Sequence, residues 1–214
     1  MAKARLFDIR HFPMDLGRLV CSCLPLVFRL KRVTADGKPY KQHLRGGAIV
    51  AANHTSMADP FLVGITFWYR RMYCLAAEVV MKNPVIATLS KGMGCIKVDR
   101  NIADIEAIKK SVSVLKEGHV LAMFPQGQIT VSDEVDTVKS GAVLIALQAG
   151  VPIIPMFITK RKHWYNHRTV VIGEKIVPSE ICGKKMPSTA DIEMVTDLLA
   201  QRLQQCKDYS LEGK

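Results

Sequence analysis

The sequence contains no apolar run long enough to cross a bilayer as a helix. Its most apolar N-terminal stretch spans only residues 19–28, is interrupted by Pro25 and is flanked by Arg18 and Arg29, whereas a spanning helix needs about 20 residues. The stretch instead predicts an amphipathic segment that lies in the membrane interface, packs on the core of the protein, or does both. The side chains expected to insert are Leu16, Leu19, Val20, Leu24, Val27 and Phe28, while Arg18, Arg29, Lys31 and Arg32 would meet anionic headgroups.

Cysteine pairs with the spacing of metal ligands are also missing. The six cysteines are scattered without a Cys-x-x-Cys pair, and several lie inside apolar runs, where a free thiol behaves as a small hydrophobic group. Structural zinc sites normally use two such pairs, so we expect no zinc site. Free thiols favour a reducing compartment, and together with the apolar N-terminus they predict a peripheral membrane protein on the cytoplasmic face.

Acidic and aromatic residues are scarce. The chain has 19 acidic residues against 30 lysines and arginines, a formal net charge of +11, and only 7% aromatic residues. This charge favours an anionic partner, which is nucleic acid, an acidic lipid surface or a phosphorylated substrate. No nucleic-acid-binding motif is present, so we expect a membrane surface and no nucleic acid. The one aromatic and basic segment, residues 163–168, is interpreted as an exposed or interfacial loop.

The length and apolar content favour one domain with a sizeable core, since the chain has 214 residues of which 49% are hydrophobic. We predict an N-terminal amphipathic segment over residues 1–40 and a single domain over residues 41–214. Short apolar runs alternate with stretches of helical periodicity. This alternation predicts an α/β fold, with a largely parallel sheet flanked by helices on both faces.

The predicted strands are apolar runs bounded by turn residues, at 47–52, 72–76, 95–99, 120–124, 151–158 and 169–176. The predicted helices begin near Pro60, span 103–117 and 142–149, and begin again near Thr189. Asp59 is a candidate cap for the first of these helices. Ser188 and Asp191 predict a capping box at the start of the last.

Polar loops follow three of the predicted strands, at the edge where parallel sheets bind ligands. In the first loop His54 and Asp59 are five residues apart, or about 140° around a regular helix. Their side chains can be in contact only if His54 lies on the loop and Asp59 is at the start of the helix. The carboxylate would then fix the imidazole tautomer, and the other ring nitrogen could take a proton from a hydroxyl group. The spacing also allows the alternative that Asp59 merely caps the helix and His54 is a polar loop residue.

The second and third loops carry weaker signals. The second contains Lys97 and Arg100, two cations suited to phosphate, although surface cations are usually only solvated. The third contains Gln126 and Gly127 after the strand. Its glycine allows backbone amides to approach a ligand and to hold an oxyanion, and an ordinary turn explains the same residues.

Taken in this order, the loops resemble the 1-acylglycerol-3-phosphate acyltransferase family of the lysophospholipid acyltransferase superfamily. The signature of that family is Asn followed by His-x-x-x-x-Asp, then Gly-x-Ile-x-x-Asp-Arg, Phe-Pro-Glu-Gly-Thr-Arg-Ser, and Val-Pro-Ile-x-Pro. Lys139-Ser140-Gly141-Ala142 is also similar to the family's Lys-x-Gly-Ala phrase, and the resemblance covers about residues 47–176. The segments that match the signature are 53–59, 94–100, 124–130 and 151–155.

The resemblance implies an acyltransferase of phospholipid biosynthesis that needs no metal or cofactor. His54 would be the general base that deprotonates the hydroxyl group of a lyso-lipid acceptor such as 1-acylglycerol-3-phosphate, and Asp59 would orient it. That hydroxyl would attack the thioester of an acyl-CoA or an acyl carrier protein. Backbone amides near Gly127 would face the oxyanion, with two cations near the acceptor's phosphate. The residues expected to bind substrate are Asn53, Lys97, Arg100, Gln126 and Gly127.

The sequence departs from the family pattern in the third segment. Gln126 and Ile129 replace the family's Glu and Arg, and isoleucine cannot hold a phosphate as that arginine is expected to. Losing such a charged donor costs about 1.5–3 kcal/mol if nothing compensates. A different lyso-lipid acceptor and a lipid-binding protein without turnover are therefore alternatives. Water as the acceptor would make a thioesterase or lipase, but the Gly-x-Ser-x-Gly elbow of serine hydrolases is absent.

Overall fold

The computed structural model of the chain describes residues 12–27, 30–77, 90, 94–99, 104–127, 138–160, 168–183 and 187–212. Three features that the sequence singles out lie outside this described part. They are Arg100, Ile129 and residues 163–167 of the aromatic and basic segment.

One sheet forms the centre of the described residues, and most of its strands are the apolar runs that the sequence predicts. The strands are β1 (Leu30–Thr34), β2 (Ala48–Ala52), β3 (Met72–Ala77), β4 (Cys95–Val98), β5 (Val120–Met123), β6 (Ile153–Ile158) and β7 (Arg168–Ile172). Their spatial order is β1-β7-β6-β2-β5-β3-β4. Strands β2 to β6 run parallel, β7 is antiparallel to β6, and β1 is parallel to β7. The predicted largely parallel sheet is confirmed.

Helices cover both faces of this sheet, as predicted. They are α1 (Phe12–Val27), α2 (Asp59–Thr66), α3 (Ile105–Lys116), α4 (Gly141–Ala149), α5 (Pro178–Cys182) and α6 (Thr189–Glu212). Side chains alternate along β2, so Ile49 joins the apolar cluster beneath α3, α4 and α6 while Val50 joins the cluster beneath α2. All five residues of β2 are buried, so this strand lies at the centre of the core.

The start of α6 is the predicted capping box. The amide of Ser188 donates to Asp191 Oδ2 at 2.8 Å, and the amide of Asp191 donates to Ser188 Oγ at 3.3 Å. Two amides that lack partners inside the helix are satisfied in this way. The capping box therefore fixes where α6 begins.

Strand β1 has no counterpart among the predicted strands. It lies inside residues 1–40, yet it pairs along five residues with β7 and forms an edge of the sheet. Only Val33 among its residues is buried. The sequence Leu-Lys-Arg-Val-Thr also shows no apolar alternation that would indicate a strand. The free edge of β7, rather than a local pattern, makes this segment a strand.

Helix α1 is attached to the rest of the protein by a buried ion pair. Asp15 accepts two hydrogen bonds of 2.8 Å from the guanidinium group of Arg71, and the two side chains are 1% and 6% exposed. Removing one partner of such a pair typically costs about 3–5 kcal/mol, because the other charge is left buried alone. One of the two expectations for the apolar N-terminus, that it packs on the protein, is therefore observed. Among the described residues, no helix is both long enough and apolar enough to span a membrane.

Candidate active site

The loop after β2 is fixed at its beginning by Asn53. The side-chain oxygen of Asn53 accepts a hydrogen bond of 2.7 Å from the amide of Ile158, and its side-chain nitrogen donates to the carbonyl of Ile158 at 3.1 Å. Ile158 ends β6, the neighbour of β2 in the sheet. The buried amide thus ties the ends of two parallel strands together. In this structure Asn53 positions the loop, and its expected contact with substrate stays a prediction.

His54 and Asp59 meet as the spacing allows. His54 Nδ1 lies 3.3 Å from Asp59 Oδ2, and the two residues are 8% and 1% exposed. The same oxygen accepts hydrogen bonds of 2.7 Å from the amides of Thr55 and Ser56. A carboxylate can only accept at this position, so in the neutral ring Nδ1 is the nitrogen that carries the proton.

The alternative that Asp59 only caps α2 is wrong. The N-cap residue is Ala58, no side chain caps the helix, and Asp59 itself lies in the first turn. Its carboxylate turns back to the amides of Thr55 and Ser56, which precede the helix. Its second oxygen, Oδ1, is buried and accepts no hydrogen bond from any described residue.

The loop after β5 packs against His54 from the other side. The imidazole of His54 stacks on Phe124 with ring centroids 4.2 Å apart and planes 24° from parallel. The amide of His54 donates to the side-chain oxygen of Gln126 at 3.4 Å. Strands β2 and β5 are neighbours, so the parallel sheet itself brings the first and third predicted loops together.

Gly127 closes a turn, and this changes its expected role. Its φ is +74°, a conformation that favours glycine, and its amide donates to the carbonyl of Phe124 at 2.9 Å. An amide engaged in the turn does not face an oxyanion, so the expectation for this amide does not hold in this conformation. The expected contact of Gly127 with substrate stays a prediction.

Lys139 occupies part of that space, and it is absent from the predicted site residues. A Cβ atom built on Gly127 would lie 3.1 Å from Lys139 Nζ, and the amide of Lys139 donates to the carbonyl of Pro125 at 3.1 Å. Both the backbone and the ammonium group of Lys139 therefore lie on the turn beside His54. The Lys-x-Gly-Ala phrase was the sequence signal that could have identified it.

Among the predicted site residues that the structure describes, Lys97 lies farthest from His54 and Asp59. It pairs with Ala76 at the carboxyl end of β4, which is three strands away from β2. Three strand spacings of about 4.8 Å place it about 14 Å across the sheet from β2. The side chain is exposed. Lys97 therefore lies at the edge where the pair is found but does not contact it.

Comparison with known proteins identifies the family. Residues 32–159 match the family model described as Acyltransferase. The chain belongs to this acyltransferase family. It is 25% identical over 167 residues to the 1-acyl-sn-glycerol-3-phosphate acyltransferase of Bacillus subtilis (strain 168). The aligned part is 76% of this chain and 82% of the relative. It is 31% identical over 147 residues to the enzyme of the same name from Limnanthes alba, which covers 64% of this chain and 51% of that relative.

A solved structure shows the same fold. The crystal structure of the 1-acyl-sn-glycerophosphate (LPA) acyltransferase, PlsC, from Thermotoga maritima matches this acyltransferase with a TM-score of 0.64 at 16% sequence identity. The match covers 95% of this chain and 83% of that one. The family resemblance, the α/β fold and the assignment as an acyltransferase enzyme of phospholipid biosynthesis are confirmed.

Proposed function

We propose that this acyltransferase moves a fatty acyl group from an acyl-CoA or acyl carrier protein thioester to the hydroxyl group of a lyso-lipid, with 1-acylglycerol-3-phosphate as the preferred acceptor. The observation that carries the proposal is the buried contact between His54 and Asp59 at the carboxyl edge of the parallel sheet. The names of the relatives from Bacillus subtilis and Limnanthes alba support the choice of acceptor.

In the proposed reaction His54 acts as the general base. Its Nδ1–H group donates to Asp59, and Nε2 takes the proton of the acceptor hydroxyl while that oxygen attacks the thioester carbonyl. A carbon–oxygen bond forms and the carbon–sulfur bond breaks. The imidazolium ion then returns its proton to the leaving thiolate. These steps use only the His54–Asp59 pair and the two substrates.

Asp59 stabilises the imidazolium ion formed in this step. Two backbone amides and His54 Nδ1 converge on one carboxylate oxygen, while the other has no partner among the described residues. A buried anion with an unsatisfied oxygen attracts a cation strongly, because little solvent screens it. The 3.3 Å contact is longer than the usual 2.9–3.0 Å. Such contacts often tighten only in the transition-state complex.

Lys139 is the proposed cation for the phosphate of the acceptor. Its ammonium group lies beside Gly127. Gln126, in the same turn, accepts a hydrogen bond from the amide of His54. Ile129 offers no charge at the position where the family has arginine. Lys160 and Arg168, at the adjoining ends of β6 and β7, add positive charge to the same edge of the sheet. An anionic headgroup is favoured there over a neutral one.

The proposed location is a peripheral one, on the cytoplasmic face of a membrane. Helices α1 and α2 pack together, and exposed apolar side chains lie on both helices and just before the start of α2. These side chains bury apolar area if they enter the headgroup region, and the net charge of +11 adds attraction to anionic lipid. A lyso-lipid could then reach His54 directly from the bilayer. The exposed apolar side chains are Phe12, Leu16, Leu19, Met57 and Phe61.

The catalytic prediction concerns His54→Ala and Asp59→Asn. The first removes the base and should lower kcat by about 10²–10⁴-fold. The second keeps an oxygen for the amides of Thr55 and Ser56 but removes the charge, so kcat should fall by about 10²-fold. Thiol release from acyl-CoA, and separately from acyl carrier protein, is measured together with the lipid product.

The control for this test is His43→Ala, which changes an exposed histidine in the loop before β2 that makes an edge-to-face contact with Tyr69. It should keep wild-type turnover. Equal melting temperatures of all variants show that the fold is intact. Product formation by His54→Ala at the wild-type rate contradicts the general-base role. No product from the wild type with any donor or lyso-lipid favours the binding protein without turnover.

The acceptor prediction concerns Lys139→Gln. Loss of the ammonium group should raise KM for 1-acylglycerol-3-phosphate by about 10-fold or more, since a hydrogen bond to a charged group contributes about 1.5–3 kcal/mol. The rate with monoacylglycerol, which has the hydroxyl but no phosphate, should not change. Lys139→Arg should restore the low KM. An equal effect of Lys139→Gln on both acceptors shows that the residue does not bind phosphate.

The membrane prediction concerns Leu16→Ser combined with Leu19→Ser. This variant should sediment several-fold less with vesicles that contain anionic lipid, because two inserting side chains become polar. Leu144→Ser combined with Met194→Ser removes two exposed apolar side chains from α4 and α6 on the opposite face of the sheet, and should bind as the wild type does. Equal losses in both variants contradict a docking surface formed by α1.

A further inference from the structure

Two cysteines lie side by side on neighbouring strands, away from the His54–Asp59 pair. Cys74 on β3 and Cys95 on β4 are direct partners in the parallel ladder, and their Sγ atoms are 3.0 Å apart. Neighbouring strands are about 4.8 Å apart, and a disulfide joins Cα atoms separated by about 4.4–6.8 Å. The backbone therefore already has the spacing that a disulfide requires.

The two thiols are chemically unequal. The thiol of Cys74 hydrogen bonds to Cys95 and holds the pKa of Cys95 below its usual value, with a smaller contribution from Ser90. The same hydrogen bond, together with burial, raises the pKa of Cys74. Cys95 is thus the better nucleophile and Cys74 is the neighbouring thiol that retains its proton. Both side chains are partly exposed, so a small oxidant can reach them.

Two other cysteines have the opposite character. Cys182 and Cys206 are buried, and burial raises the pKa of Cys206 to about 12. A thiol that stays protonated and out of contact with solvent reacts slowly with oxidants. Cys182 and Cys206 are therefore internal controls for the reactivity of Cys74 and Cys95.

We propose that Cys74 and Cys95 form an oxidisable thiol pair, a modification site at which a peroxide produces an intramolecular disulfide. The Cys95 thiolate attacks one oxygen of hydrogen peroxide, which breaks the O–O bond and gives a sulfenic acid and, after protonation, water. The thiol of Cys74 then attacks the sulfenic sulfur, the S–S bond forms and a second water leaves. The two thiols lose two electrons to the peroxide. A dithiol reductant returns both to thiols by exchange.

The bond would join an edge strand to the sheet covalently. In the described residues β4 pairs only with β3, and Lys97 follows Cys95 by two positions on the same strand. A covalent link between residues 74 and 95 restricts the unfolded chain, so oxidation should raise the melting temperature. This inference does not depend on the acceptor or on the catalytic role of His54.

The test is peptide mapping of the full chain after treatment with equimolar hydrogen peroxide. Reduced protein is oxidised, its remaining thiols are blocked with N-ethylmaleimide under denaturing conditions, and the digest is analysed by mass spectrometry. The expected product is a Cys74–Cys95 linked peptide that is lighter than its two parts by two hydrogen atoms and disappears with dithiothreitol. Peptides with Cys182 and Cys206 should be found alkylated.

Three variants make the test decisive. Cys74→Ser should leave Cys95 as a sulfenic acid that a cyclic 1,3-dione traps, whereas Cys95→Ser should give neither the disulfide nor trapping at Cys74. Cys206→Ser should form the disulfide as the wild type does. Only proteins containing both Cys74 and Cys95 should gain melting temperature on oxidation. Sulfinic acid on Cys95 without a disulfide, a different pairing, or oxidation of Cys206 at an equal rate overturns the proposal.

Discussion

The arrangement around His54 depends on a single carboxylate oxygen. Asp59 Oδ2 accepts from the imidazole of His54 and from the amides of Thr55 and Ser56, so three consecutive residues are folded around one charge. Asn53 fixes the beginning of the same loop to β6. Because β2 is buried along its whole length, the loop starts from a strand inside the core, and contacts with Asp59 and Phe124 orient the ring of His54. The proposed proton transfer requires this orientation.

The parallel sheet supplies the remaining groups by placing strand ends side by side. The loop after β5 provides the ring of Phe124 beneath His54 and the side-chain oxygen of Gln126 beside its amide. It also brings Lys139 onto Gly127. The chain thus keeps the His and Asp of the resembled family pattern, and in the proposed function Lys139 supplies positive charge beside the third segment, where Ile129 replaces the family's arginine.

The sequence was most informative where a local pattern controls the structure. The periodicity at 103–117 predicts α3, and the Ser188–Asp191 spacing predicts the capping box of α6, because both depend on neighbours within a few residues. Strand β1 could not be predicted, since β7 rather than its own sequence makes it a strand. The direction of the Asp59 carboxylate, the position of Lys139 on Gly127 and the pairing of Cys74 with Cys95 all depend on how separated segments meet. The engaged amide of Gly127 depends on the detailed geometry of one turn.

The proposed mechanism requires that Asp59 hold the proton of His54 on Nδ1, so that Nε2 acts as the base. NMR of protein labelled with ¹⁵N at histidine tests this most directly, with the resonances of His54 assigned by their loss in His54→Gln. For the neutral ring we expect a protonated Nδ1 and an unprotonated Nε2, and we expect this preference to weaken in Asp59→Asn. A neutral His54 with its proton on Nε2 in the wild-type protein would contradict the account.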